Sequence, residues 1–214
     1  MNSNDGTIND GGDSTVPGAS GILGEKAYSF DGSNDYVGIG AKDSLDFGNG
    51  SMSIVAWFRT PSNTQQGKIV NRGQSGAFPS SSGYSLRFYD KFGVAFTDGT
   101  NNSNVYVSSA GDVTENEWHL GVGILDRNAQ QTRLFLDSQL IGTSDASSLG
   151  SISNPDATAD IAVLNRGSYG DKSEFFNGKI QEARLYNHAL TPQEVQYLYS
   201  VGSRGLHVSS ERTL

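Results

Sequence analysis

The amino-acid sequence predicts an all-β protein: two antiparallel sheets packed face to face, with one short helix near the C-terminus. Three observations lead there. Beyond residue 25, apolar and polar residues alternate with a period of two over most of the chain. Gly, Asn, Asp and Ser separate these runs, and the 214 residues hold 27 Gly, the turn supply of many short strands. One segment alone has helical spacing, so the crossover helices that cover a parallel sheet are missing.

In chain order, residues 1–25 are poor in aromatics and rich in Asn, Asp and Gly, and read as a tether or an edge of the fold. Tyr28 and Phe30 alternate with polar neighbours, and the Asp31–Asp35 turn leads to Tyr36, Val37 and Ile39. The strongest strand is 51–60, with Met52, Ile54, Ala56 and Phe58 on one face and Val55 and Trp57 on the other. Ile69 and Val70 centre a short strand. Tyr84, Leu86 and Phe88 alternate with Ser85, Arg87 and Tyr89; Phe92, Val94 and Phe96 alternate with Gly93, Ala95 and Thr97. Val105 and Val107 mark another short strand. Trp118, Leu120, Val122 and Ile124 share a face opposite His119, Gly121 and Gly123. Leu134 and Leu136 pass through the 137–139 turn into Leu140 and Ile141, which makes a hairpin. Ile161 and Val163, then 179–187, supply the last strands. Thr191 is a good N-cap, Pro192 takes the first helical position and Glu194 completes a capping box. Val195, Leu198 and Tyr199 form the stripe that lays helix 191–199 on the sandwich. The expected organisation is a segment 1–25, one sandwich over 26–199 and a tail over 200–214, with Trp57, Phe58, Trp118 and Leu120 among the core residues.

Composition narrows the function. Fifteen Lys and Arg against 23 Asp and Glu give a net charge of -8, and the basic residues never form a run of three, so there is no stripe to hold nucleic acid. The absence of Cys removes disulfides, thiolate metal sites and cysteine nucleophiles. Apolar runs are too short for a bilayer-spanning helix, so no membrane insertion is expected. Residues 1–5 have neither the basic region nor the apolar stretch of a signal peptide, yet an acidic, Cys-free, Gly- and Asn-rich domain fits a secreted or cell-surface module. No G-x-S-x-G elbow is present. Glycosidase chemistry needs a pair of acids flanking the scissile bond, and Glu115 and Glu117 alternate suitably but sit in a turn. The sequence therefore points away from catalysis.

Two groups of residues stand out. The Asp31–Asp35 turn gathers two carboxylates, an amide and a hydroxyl, and serves either an Asx-stabilised turn or a hard cation such as calcium, without EF-hand spacing. Around 72–90 and 165–175, Arg72, Phe78, Tyr84, Arg166 and Tyr169 offer planar rings and guanidinium groups suited to a sugar. Tyr169 would stack on a ring, and Arg72 or Arg166 would bond hydroxyls or an acidic sugar's carboxylate.

Several stretches, 26–37, 53–58, 117–119, 135–139 and most specifically 176–195, resemble in order the bacterial laminin-G-like, concanavalin A-like lectin/glucanase domains. The resemblance implies a jelly roll that works as a non-catalytic carbohydrate-binding module, taking a polysaccharide or glycan and riding beside a neighbouring domain of an enzyme or adhesin. It also implies a structural calcium ion held by Asp31 and Asn34 with Gln181 or Glu182 of the final strand; Gln181 stands where relatives often have Asp. The family's first strand is not evident, and is either absent or replaced by 200–214. The alternative is a calcium-stabilised adhesion or spacer domain that binds protein or nothing; a polysaccharide-degrading enzyme ranks third.

Overall fold

A computed structural model describes residues 5–10, 17–20, 26–73, 82–106, 112–165 and 172–208. The alternating segments form two seven-stranded sheets. The front sheet runs, in spatial order, β1 (Thr7–Asn9), β4 (Tyr36–Gly40), β13 (Ala159–Ile161), β6 (Gln66–Arg72), β7 (Ser82–Tyr89), β8 (Phe92–Asp98) and β9 (Asn102–Tyr106). The back sheet runs β12 (Gln139–Asp145), β11 (Gln131–Leu136), β10 (Trp118–Asp126), β5 (Met52–Arg59), β16 (Asn177–Tyr186), β3 (Lys26–Asp31) and β2 (Pro17–Ser20). A small ribbon joins β14 (Leu164–Asn165) to β15 (Lys172–Ser173), and one helix, α1 (Pro192–Val208), follows β16. Strand partners are antiparallel, as the short turns require. This is the jelly-roll-like sandwich that the sequence predicts.

The core between the sheets is built from alternate residues of both, including Ile54, Leu86, Val94 and Leu134. At its centre the Phe58 ring lies 5.0 Å from Phe92 and 5.7 Å from Phe88. A second apolar layer lies on the opposite face of the back sheet, where Val55, Trp57, Leu120, Val122, Ile124 and Phe135 are covered by Leu190 and Val195. The back sheet is thus apolar on both faces because the helix shields one of them. Of the four expected core residues, Phe58 lies between the sheets, Trp57 and Leu120 lie under the helix, and Trp118 is half-buried beside it.

The capping box forms as predicted: the Thr191 N–H and Oγ1 donate to Glu194 Oε2 at 2.8 and 2.9 Å, and the Glu194 N–H donates back to Thr191 Oγ1 at 3.2 Å. The helix continues well past Tyr199. The Tyr199 ring stacks on Trp57 at 5.8 Å, and a Cβ at Gly202 would meet Trp57 Nε1 at 2.5 Å, so glycine lets this extra length close onto the sheet. Residues 200–208 are therefore helix and do not replace a strand. The segment 1–25 contributes β1 and β2, one edge strand of each sheet.

Along one side the sandwich is incompletely filled. A cleft of about 330 Å³ lies between β1, β4 and β13 of the front sheet and β3 and β16 of the back sheet, one of about 440 Å³ lies between β4, β6 and β13 and β16, and Ile161 and Ala183 line both.

Candidate functional site

Because Leu86, Phe88, Val94, Phe96 and Val105 turn inward, their neighbours in sequence make up the outer face of the front sheet. The register sets them in rows across the strands. One row reads Thr7, Gly38, Asp160, Asn71, Ser85, Ala95, Asn104, and a second brings together Lys68, Arg87, Gly93 and Tyr106. Small residues at Ser85, Gly93 and Ala95 keep the middle of this face low. Arg87 and Tyr106 stand half-buried and Tyr89 exposed beside them, a polar trough in which Asn71, Ser85, Ala95 and Asp160 are themselves buried.

Arg87 occupies its centre. The guanidinium donates to the Tyr106 hydroxyl at 2.5 Å and lies 5.9 and 5.7 Å from the ring centroids of Tyr89 and Tyr106. A Cβ on Gly93 would meet Tyr106 Cε1 at 2.7 Å, so the glycine is what allows that ring to lean over β8. Tyr89, 54% exposed, presents its ring to solvent. Asn104 Nδ2 donates to Asn102 Oδ1 at 2.9 Å, while Asn104 Oδ1 is buried with no hydrogen-bond partner. On the other wall, Lys172 Nζ lies 3.5 Å from Asp160 Oδ1 and 3.9 Å from the centroid of the Tyr36 ring. Lys68 pairs with Glu174, and burial, then the Arg87 charge, pulls its ammonium down to about 8 against the pull of Glu174.

The residues named from the sequence fall elsewhere. A bulge between Lys68 and Val70 shifts the alternation of β6, so Asn71 faces the trough and Arg72 turns inward. Arg72 is 1% exposed, lies 3.6 Å from Asp46 Oδ2, and has three guanidinium nitrogens without hydrogen-bond partners. Tyr84 is buried beside it and donates to the Leu45 carbonyl at 3.1 Å; burial pushes its hydroxyl pKa up. Neither side chain reaches the surface or the trough. Phe78, Arg166 and Tyr169 lie outside the described residues. The groups that line the trough, Arg87, Tyr89, Asn104 and Tyr106, are the polar half of strands whose apolar half defined the core. Their signal in the sequence was the alternation itself, with aromatics on the side that should have faced water.

The Asp31–Asp35 turn is an Asx turn. Asp31 Oδ1 accepts the N–H groups of Ser33 and Asn34 at 2.7 and 3.2 Å, and the Asp31 N–H donates to Asp35 Oδ2 at 2.9 Å. Burial of the Asp31 carboxyl is outweighed by these backbone donors, so its pKa falls. Asn34 Oδ1 is buried without a partner, an acceptor suited to a hard cation. The final strand cannot complete that set, because β16 places Asn177 opposite Asp31. Gln181 and Glu182 follow four and five residues later, roughly 13 and 17 Å along the strand, and Glu182 is paired with Arg184. Among the described residues no three His, Cys, Asp or Glu side chains gather to hold a metal, and no helix is long and apolar enough to cross a membrane.

A family model of the concanavalin A-like lectin/glucanases superfamily matches residues 31–196. The chain belongs to that superfamily. No curated protein matches it. Among solved structures, the binding domain of Paraclostridial Mosquitocidal Protein 1 superposes with a TM-score of 0.66 at 14% identity, over 92% of this chain and 45% of that one. Domain 4 of AbnA, a GH43 extracellular arabinanase from Geobacillus stearothermophilus, solved with arabinotriose, gives 0.63 at 18% identity over 91% and 82%. The serotype G botulinum neurotoxin binding domain gives 0.65 at 14% identity over 92% and 47%. The chain therefore spans about half the length of these toxin domains, and at such identities the likeness is one of fold.

Proposed function

We propose that this superfamily member is a non-catalytic glycan-binding module of a secreted or cell-surface protein, and that the trough of the front sheet is its binding face. The observation that carries this reading is the Arg87 group: a guanidinium set against Tyr89 and Tyr106 over a floor of small residues, with amides beside it. A sugar ring needs an aromatic face for its apolar side and fixed planar donors for its hydroxyls, and a rigid sheet supplies both with little ordering cost on binding. The fold shared with AbnA domain 4, which was solved with arabinotriose, is compatible with this use. Screening the chain on a glycan array, with a reducing-end assay on each polysaccharide that binds, tests the proposal. Reproducible binding without release of reducing ends is expected. Cleavage would overturn the non-catalytic part, and silence across the array would favour the adhesion or spacer alternative.

We propose further that calcium, if taken at the Asp31–Asp35 turn, is held by Asp31 and Asn34 without the final strand, since the orphaned Asn34 Oδ1 is the acceptor that fits it.

A further inference from the structure

We propose that the incompletely filled side of the sandwich is a second binding site, a channel for one aliphatic chain such as the acyl or alkyl tail of an amphiphile. It lies on the inner face of the front sheet, away from the trough on the outer face. Among the described residues, the apolar groups that pack on the inter-sheet core yet stay partly exposed are, Ile141 apart, the ones that line the two clefts: Val37, Phe47, Ile161, Ala183 and Leu185. Ile8 and Tyr28, 44% and 40% exposed, carry the apolar lining of the smaller cleft out to solvent. The volumes, about 330 and 440 Å³, are those of small-molecule sites. From Ile180 to Leu185, β16 runs along both clefts for roughly 16 Å.

The walls decide the class of occupant. Each of β4, β13 and β16 lies between two hydrogen-bonded neighbours, so these strands turn side chains, and no open backbone groups, toward the space. A peptide strand or a sugar lodged there would bury N–H, C=O or hydroxyl groups with few partners, a cost that hydrocarbon does not carry. A helix is about 10–12 Å across, too wide for sheets that pack about 10 Å apart. Gln181 and two tyrosines aside, the polar side chains of the lining, Asp5, Ser44 and Asn187, are exposed. They mark the solvent side, where the head group of an amphiphile stays hydrated. Ile161 and Ala183 are common to both clefts, and at Ala183 the wall carries only a methyl.

The test is displacement of cis-parinaric acid, a polyene fatty acid that fluoresces in apolar surroundings, from the full chain by octanol, decanol and dodecanol. Affinity is expected to rise about fourfold for each CH2 that enters the channel. Ala183→Leu, which extends into both clefts, is expected to weaken binding about tenfold or more, with no loss of melting temperature. Ile8→Ser, at a solvent-open position, is expected to weaken it about threefold and keeps the test decisive should the leucine variant fail to fold. Tyr197→Ala, 67% exposed on α1, is expected to leave it as it was. Absence of displaceable probe, affinity indifferent to chain length, or affinity unchanged in both cleft variants would each overturn the channel. Vesicles of phosphatidylcholine give the source: co-sedimentation that Ala183→Leu abolishes assigns the chain to a bilayer lipid, and displacement without co-sedimentation assigns it to a free amphiphile. Glycan binding at the trough stands or falls separately from these outcomes.

Discussion

Gly123 sits on the inner face of β10, paired with Ile54 of β5 and Leu134 of β11. A Cβ added there would lie 2.8 Å from Val94 Cβ across the sandwich, and still closer to one of that residue's methyls; Val94 is fully buried. Carbon atoms rest about 3.5–4.0 Å apart, so Gly123→Ala must either part the sheets locally or drive Val94 from its rotamer. Overpacking of this kind costs about 1–3 kcal/mol, and the stiffer unfolded chain returns roughly 0.4–1 kcal/mol. A net loss of about 1–2 kcal/mol is expected. Val94→Ala alone should also destabilise, at about 0.8 kcal/mol for each carbon removed plus a cavity contribution. In that background the new methyl occupies vacated space, so Gly123→Ala should cost almost nothing, a coupling of about 1 kcal/mol or more. Urea unfolding followed by tryptophan fluorescence, with an unchanged m value, measures all four corners of the cycle. Additivity within about 0.5 kcal/mol would show that this glycine does not set the approach of the sheets.

His119 supplies a pH prediction. Its Nδ1 faces Asp137 Oδ2 at 2.6 Å and its Nε2 faces the Thr114 carbonyl at 2.9 Å, two acceptors that both need a proton. Burial alone would lower its pKa, but Asp137, Thr114 and the charge of Glu117 together raise it above 6.5. The stability it contributes is complete below that value and is lost as pH rises through the raised one. The stability difference between the parent chain and His119→Gln should therefore shrink from pH 6 toward alkaline pH, on the order of the range that the shift spans; this difference also cancels Lys68, whose depressed pKa acts in the opposite sense. A constant difference would mean that the imidazolium is not what the three segments share. For calcium, melting in chelator and then at about 100 times the dissociation constant should differ by roughly 2.7 kcal/mol of stability, and Asn34→Ala should abolish the shift; no shift in metal-free protein removes the ion. Ala183→Leu, extending into the two clefts, should add about 0.5–2 kcal/mol, and a lower melting temperature would mean that those spaces are not available to a side chain.

Periodicity made the strands legible but could not say which face of the back sheet meets the other sheet. In β10 the apolar set Trp118, Leu120, Val122 and Ile124 looks like the core face, and His119, Gly121 and Gly123 look like the solvent face. Both faces are buried, because the helix covers the apolar set while the glycines face the other sheet and admit Phe92 and Val94. A glycine carries no hydropathy signal for burial, so a strand packed by its partner's bulk reads as half exposed.

The same blindness displaced the candidate site. Arg72 stands beside a Ser- and Gly-rich loop, but one extra residue at the Lys68–Val70 bulge turns it inward, and no local pattern announces a bulge. The resemblance joins Gln181 to Asp31 because relatives often have Asp at that position, whereas ligation depends on register, and register puts Asn177 there instead. The trough was present in the sequence as the polar half of each alternation, Ser85-Arg87-Tyr89 beside Gly93-Ala95 and Asn104-Tyr106. Such residues usually mean a solvated surface. They become a candidate site through the juxtaposition of strands distant in the chain, which lays Tyr106 over Gly93 and brings its hydroxyl to Arg87. The informative feature was two tyrosines and an arginine on faces that a purely solvated sheet would fill with Lys, Glu and Thr.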